Sequence, residues 1–110
     1  IYVAHPFGGD KANKYSIDTI MENLVMLDKN NTYLSPLHNF SMLYFDTQYA
    51  KGLKICLDML NKCDALVLCG EWETSKGCIG EWSFAIAKGM PIYTWKEWTD
   101  KLKEQGDNIR

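Results

Sequence analysis

The run Ala65-Leu66-Val67-Leu68-Cys69, closed by Asp64 on one side and Gly70 on the other, constrains this chain more than any other stretch. Five apolar residues in succession read as a strand buried on both faces of a parallel sheet; a half-exposed strand would alternate. A polar loop follows. After Gly77 the apolar positions Ile79, Trp82, Ala85, Ile86 and Met90 take helical spacing, and Gly89 before Pro91 is a stop signal. Cys63 to Glu81 is therefore a strand, a loop and a helix that opens on glycines, with Glu81 expected in its first turn. In a doubly wound sheet ligands bind at the carboxyl ends of the strands, where such a loop meets a helix N-terminus.

The same punctuation recurs along the chain. Ile1 to Ala4 is an apolar, β-rich opening, ended by His5-Pro6 and the turn Gly8-Gly9-Asp10. Ile17, Ile20, Met21, Leu24 and Leu27 mark one face of a helix from about Asn13 to Lys29. Thr32 to Ser35 is a short second strand stopped by Pro36, and Leu37-His38-Asn39 is a loop. Phe40 to Ala50 reads as a short helix or an irregular lid. Leu53, Cys56, Leu57, Leu60 and Cys63 trace another amphipathic helix. Pro91 to Trp95 is a fourth strand, and Trp98 with Leu102 gives a short last helix before a polar tail. Alternating strands and helices imply a single-domain α/β fold with a mostly parallel sheet of four to five strands and right-handed crossovers.

With 110 residues and 46% hydrophobic content the chain forms one domain with a core of its own. A net charge of -2 leaves no basic footprint for a nucleic acid polymer. No apolar run approaches the roughly 18 residues of a membrane span, and no signal-peptide pattern opens the chain, although a short leader ahead of Ile1 fits its start in a strand. Cys56, Cys63, Cys69 and Cys78 lack the spacing of a zinc site and read as reduced core thiols of a cytoplasmic protein. No G-x-G-x-x-G fingerprint follows the first strand, which argues against a dinucleotide, and neither a cofactor nor a metal is expected.

Three loops should converge at one end of the sheet: His5 to Asp10, Pro36 to Asn39, and Gly70 to Glu81. They carry His5, Asp10, His38, Asn39, Glu71, Glu73, Ser75 and Glu81, with Phe7, Trp72 and Trp82 nearby, a set suited to a small ring-bearing polar ligand. Glu81 is either a working carboxylate kept ionised by the helix dipole or a simple dipole cap. The competing functional reading is that the Ser75 and Gly77 amides grip an anionic ligand. His5 and His38 have structural alternatives as a strand end and a loop residue. Trp72 and Trp82 have theirs as core or lid packing. Ser75 lies six residues before Glu81, so the pair is not a capping box, and it sits in no G-x-S-x-G elbow.

On these residues the chain resembles the nucleoside 2-deoxyribosyltransferase superfamily, with its deoxynucleoside-monophosphate N-glycosidases and the small phage and bacterial domains grouped beside them. Ile1 to Gly9 resembles the family's first strand and Gly-containing loop. Pro36 and His38 resemble the end of its second strand, and Asp64 to Leu68, Ser75-x-Gly77-x-x-x-Glu81, Ala85, Ala87, Gly89 and Pro91-Ile92 carry the most specific match. The resemblance implies a flavodoxin/Rossmann-like doubly wound fold. It implies transfer or hydrolysis of an N-glycosidic bond in a (deoxy)nucleoside or its 5′-monophosphate, with Glu81 as the nucleophile, and a homodimer or higher oligomer. Ser75 then faces the 5′-phosphate, and Tyr2, His5, Phe7, Gly8, Gly9, His38, Gly70, Trp72 and Gly77 line the substrate. Where those enzymes carry an acid that protonates the leaving base, this chain has Cys56. Asp58, about half a helical turn away, is the nearest carboxylate and the second catalytic candidate. The same pocket without turnover would be a nucleotide-binding domain.

Overall fold

The structure is a computed structural model that describes residues 1–8, 10–40 and 49–109. Its centre is a parallel sheet of three strands in spatial order: β1 (Tyr2–Ala4), β2 (Leu66–Leu68) and β3 (Ile92–Thr94). Tyr2 stands opposite Leu66, and Leu66 opposite Ile92. The expected four to five strands become three because Thr32 to Ser35 contributes a single bridge, Leu34 to Tyr2, on the free side of β1. Val3 N–H donates to the Leu34 carbonyl and Leu34 N–H to the Ile1 carbonyl, but the ladder stops there. The Ser35 carbonyl instead accepts from the amides of His38 and Asn39, so the chain turns directly into helix α2 (Pro36–Phe40), where a loop was expected. Proline suits such a start, since a first-turn N–H has no helical partner.

Helix α1 (Lys11–Leu27) begins two residues ahead of the sequence reading because Asp10 caps it, accepting from Ala12 N–H at 2.8 Å. Helix α3 (Tyr49–Leu60) leads into β2, and residues 41–48 of the expected lid lie outside the described residues. A 3₁₀ turn at Trp72–Thr74 precedes α4 (Lys76–Lys88), which Gly89 ends in the left-handed conformation at φ 75°. The last helix, α5 (Trp95–Ile109), is longer than expected and starts before Trp98. Thr94 and Glu97 form a capping box: Glu97 N–H donates to Thr94 Oγ1 and Thr94 N–H to Glu97 Oε1.

Side chains alternate across the strands, so each strand feeds two cores. Tyr2, Ala4, Leu66 and Leu68 pack with Leu60 of α3 and Cys78 and Ala85 of α4. Val3, Val67 and Cys69 pack with Ile17 and Leu24 of α1, Leu37 of α2 and Trp98 of α5. Helices thus flank the sheet on both sides, which fits a Rossmann-like α/β fold and explains the unbroken apolar run at 65–69. A polar network ties the second core together. Tyr33 OH donates to Asp28 Oδ2 at 2.5 Å and accepts from Trp98 Nε1–H at 3.0 Å. Among the described residues no helix is long and apolar enough to cross a membrane.

Candidate functional site

Ser75 caps α4, its hydroxyl accepting from Cys78 N–H at 3.2 Å. Counted from that cap, Glu81 is the sixth residue of the helix, about 9 Å along the axis. It sits in the second turn, not the first as the sequence suggested, and a helix dipole acts mainly within one turn. Burial decides its charge instead. Glu81 is 5% exposed, and its carboxyl is pushed up to about 7 by burial, against the opposing hydrogen bond from Tyr2. The dipole expectation is therefore corrected: near neutrality both forms of Glu81 are populated.

Tyr2 is fully buried on β1 and donates its hydroxyl to Glu81 Oε2. Burial first, then the charge of Glu81, holds the phenol well above its usual range, so it stays a donor. Glu81 Oε1 makes no hydrogen bond among the described residues, and no buried side-chain oxygen there lacks a partner. Oε1 accordingly keeps some contact with solvent, while Oε2 is bound by Tyr2. Two thiols that the sequence reading left in the core complete the surroundings. Cys56 of α3 touches the Tyr2 hydroxyl, and both Cys56 and Cys78 feel the charge of Glu81. Burial, reinforced by Glu81, pushes Cys56 up to about 11 and Cys78 up to about 12. The packing of α3 on α4 brings them in, with Leu53 so close to Gly80 that an added Cβ would stand 3.2 Å from its Cδ2.

Asp58 lies elsewhere. Two residues past Cys56 is about 200° around α3, and Asp58 is 67% exposed and paired with Lys54 at 2.9 Å. Trp72 and Trp82 are half-buried against the same core as Tyr2, with ring centroids 5.9 Å apart and planes at 43°. Ser75 and Gly77 are half-buried at the start of α4.

The histidines occupy the opposite face of the sheet. His5 is buried, with Nδ1 donating to the Pro6 carbonyl at 2.7 Å and Nε2 3.0 Å from Ser16 Oγ on α1. Gly70, at φ 63°, leaves room for its ring: a Cβ there would stand 2.9 Å from His5 Nε2. His38 is held at both nitrogens, by Ser35 Oγ at 2.9 Å and by Asp18 Oδ1 at 2.5 Å. Asp18 also accepts from Lys14, which, ahead of His38, keeps its carboxyl below the usual range. Phe7 packs on the α1 side, and Gly8 is exposed at φ 58°. Gly9 lies outside the described residues. Of the other loop polars, Asp10 caps α1, Asn39 donates to the Ser35 carbonyl, and Glu71 and Glu73 are exposed. Among the described residues no three His, Cys, Asp or Glu side chains are grouped to hold a metal ion.

The site thus joins the first residue of β1 to α3 and to the first two turns of α4. The profile of a domain of unknown function, DUF4406, matches residues 1–94. The chain belongs to the DUF4406 family. Comparison with curated proteins and with solved structures returned no match. Within this DUF4406 domain, Tyr2, Cys56, Cys78 and Glu81 form one cluster drawn from β1, α3 and α4. The match covers all four. Chemically, such a cluster presents a carboxylate with one oxygen bound by a phenol and the other without a hydrogen bond among the described residues.

Proposed function

We propose that this DUF4406 domain cleaves an N-glycosidic bond of a (deoxy)nucleoside or nucleoside 5′-monophosphate, with Glu81 as nucleophile, as a relative of the nucleoside 2-deoxyribosyltransferases. The observation that carries the reading is the division of labour within one buried carboxylate: Oε2 bound by Tyr2, Oε1 without a hydrogen bond among the described residues and not wholly enclosed. In the ionised form Oε1 attacks the anomeric carbon, the C–N bond breaks with its electron pair leaving on the base, and a glycosyl ester forms. Water or a second base then attacks the same carbon, the bond to Oε1 breaks to free Glu81, and the proton of the incoming nucleophile goes to the departed base anion. The start of α4 at Ser75 supports a phosphate on the substrate, because first-turn amides favour an anion. The bridge at Leu34, beside β1 and across from β2, supports a flavodoxin-like order of the chain.

Self-association is part of this reading, supported by the exposed Tyr15, Val25, Met26 and Leu27 on α1. So is a cytoplasmic setting, in which Cys56, Cys63, Cys69 and Cys78 stay free. Incubating the protein with deoxynucleosides and their 5′-monophosphates, with and without a second base, tests the function by chromatography of released base. Release that disappears in Glu81→Ala supports it; release that persists in that variant removes Glu81 as nucleophile. A second reading, nucleotide binding without turnover, draws on the weak acidity of the phenol and thiols beside Glu81. Thermal stabilisation by a nucleotide with no base release would favour it.

A further inference from the structure

We propose that the ring released at this site is cationic, so that its preferred substrates are N-glycosides of a pyridinium or a comparable positively charged heteroaromatic ring. The proposal rests on the reading of Glu81 as nucleophile and adds the charge of the leaving group.

The first observation is the company Glu81 keeps. A carboxylate 5% exposed, on the core side of α4, is met by a phenol and two thiols, Tyr2, Cys56 and Cys78. All of these are neutral, and its Oε1 accepts no hydrogen bond among the described residues. A negative charge held in a poorly solvated site attracts a cation far more strongly than the same charge in water. A ligand that brings the cation therefore completes the site. It also favours the ionised, nucleophilic form of Glu81 as it binds.

The second observation is aromatic. Trp72 and Trp82 share the core that holds Tyr2, are half-buried, and tilt towards one another at 43°. Indole faces attract a cationic ring more than a neutral one of the same shape.

The third concerns protons. A neutral base leaves as an anion unless it is protonated, and the groups beside Glu81 hold their protons tightly because they are buried. A pyridinium needs none. Oε1 forms a bond to the anomeric carbon, the C–N bond breaks, and its electron pair neutralises the ring, which departs as a neutral pyridine. Water then attacks the anomeric carbon, its hydroxyl going to the sugar and its proton to Glu81. Charge and atoms balance, with water the sole co-reactant.

The test uses a matched pair on the intact protein: nicotinamide riboside and its dihydro form, alike in shape and differing in ring charge, beside thymidine and deoxyinosine. Ring release is followed by chromatography and binding by quenching of tryptophan fluorescence. We expect release from the pyridinium with a kcat/KM at least tenfold above that for the neutral nucleosides, and binding at least tenfold tighter than the dihydro form. Glu81→Gln should abolish release and erase the binding preference, with circular dichroism confirming its fold. Faster Glu81-dependent release from neutral nucleosides would overturn this inference and leave the proposed function standing. Release from neither class would overturn both. Equal binding of the charged and dihydro forms, a comparison that needs no variant, would overturn the charge argument alone.

Discussion

Tyr2 and Glu81, 79 residues apart in the chain, share a buried hydrogen bond in which the first strand's phenol holds one oxygen of the α4 carboxylate. The strand sets where the phenol ends, and the helix sets which carboxylate oxygen it meets.

Glu81 is expected to cost stability at neutral and alkaline pH. Its carboxyl is raised in the fold from 4.5 to about 7, so between those values the folded protein keeps a proton that the unfolded chain releases. Stability therefore falls as pH rises through that window, and above it the full cost of about 3 kcal/mol remains. Glu81→Gln keeps an acceptor for Tyr2 and removes the charge. Urea unfolding should show the variant more stable than the parent by up to about 3 kcal/mol near pH 8 and similar to it near pH 4. A constant difference across that range would contradict the burial argument.

Tyr2→Phe removes the one interaction found to favour ionised Glu81. A hydrogen bond to a charged group contributes about 1.5–3 kcal/mol, so the rising limb of the pH–rate profile for base release should move alkaline by about one pH unit or more. An unmoved limb with a merely lower plateau would mean that Tyr2 only packs.

What the sequence disclosed follows the range of the forces involved. The apolar run at 65–69, the helical spacing after Gly77 and the Gly89 stop are local and periodic, and the structure has β2 and α4 there. The Thr94-x-x-Glu97 capping box is equally local and marks the true start of α5, a signal that a reading from the Trp98 and Leu102 spacing alone passed over. The second strand shrank to one bridge because the Ser35 carbonyl was claimed by α2, a competition that β-propensity at Thr32 to Leu34 does not register. Glu81 was legible as a carboxylate near a helix start, but its charge state depends on Tyr2 and on two thiols that only the packing of β1, α3 and α4 brings together.

Asp58→Asn should leave base release within about twofold of the parent. Its side chain is 67% exposed and bonded to Lys54, and an exposed pair of this kind contributes about 0–1 kcal/mol. A loss of a hundredfold or more would place Asp58 in the chemistry despite its position.

Gly70→Ala is expected to disturb His5 without touching Glu81. The backbone at residue 70 has φ 63°, unfavourable for a side chain by about 1 kcal/mol, and the new Cβ would stand 2.9 Å from His5 Nε2. The ring must shift and loosen its 3.0 Å contact with Ser16 Oγ. The His5 side-chain resonances should move in NMR spectra while the pH midpoint of Glu81 stays put. Joint movement would show that the two faces of the sheet are coupled.

Tyr33→Phe tests the lock on the other core. The lost hydroxyl leaves Trp98 Nε1–H buried without its acceptor and Asp28 without its closest donor, for a loss of about 1–3 kcal/mol. Burial raises the Asp28 carboxyl, but the hydrogen bonds from Tyr33, Asn31 and the Asn30 amide outweigh it and hold the group below its usual range. The stability this confers is present above the unfolded value of 3.8 and is lost as pH falls through the lowered folded value. Chemical unfolding at pH 7 and near pH 3 should therefore show a larger penalty for Tyr33→Phe at pH 7. Trp98→Phe in the same background should add less than its separate effect, because the indole N–H it removes has already lost its partner. Strictly additive penalties would mean that α5 is held by apolar contact alone.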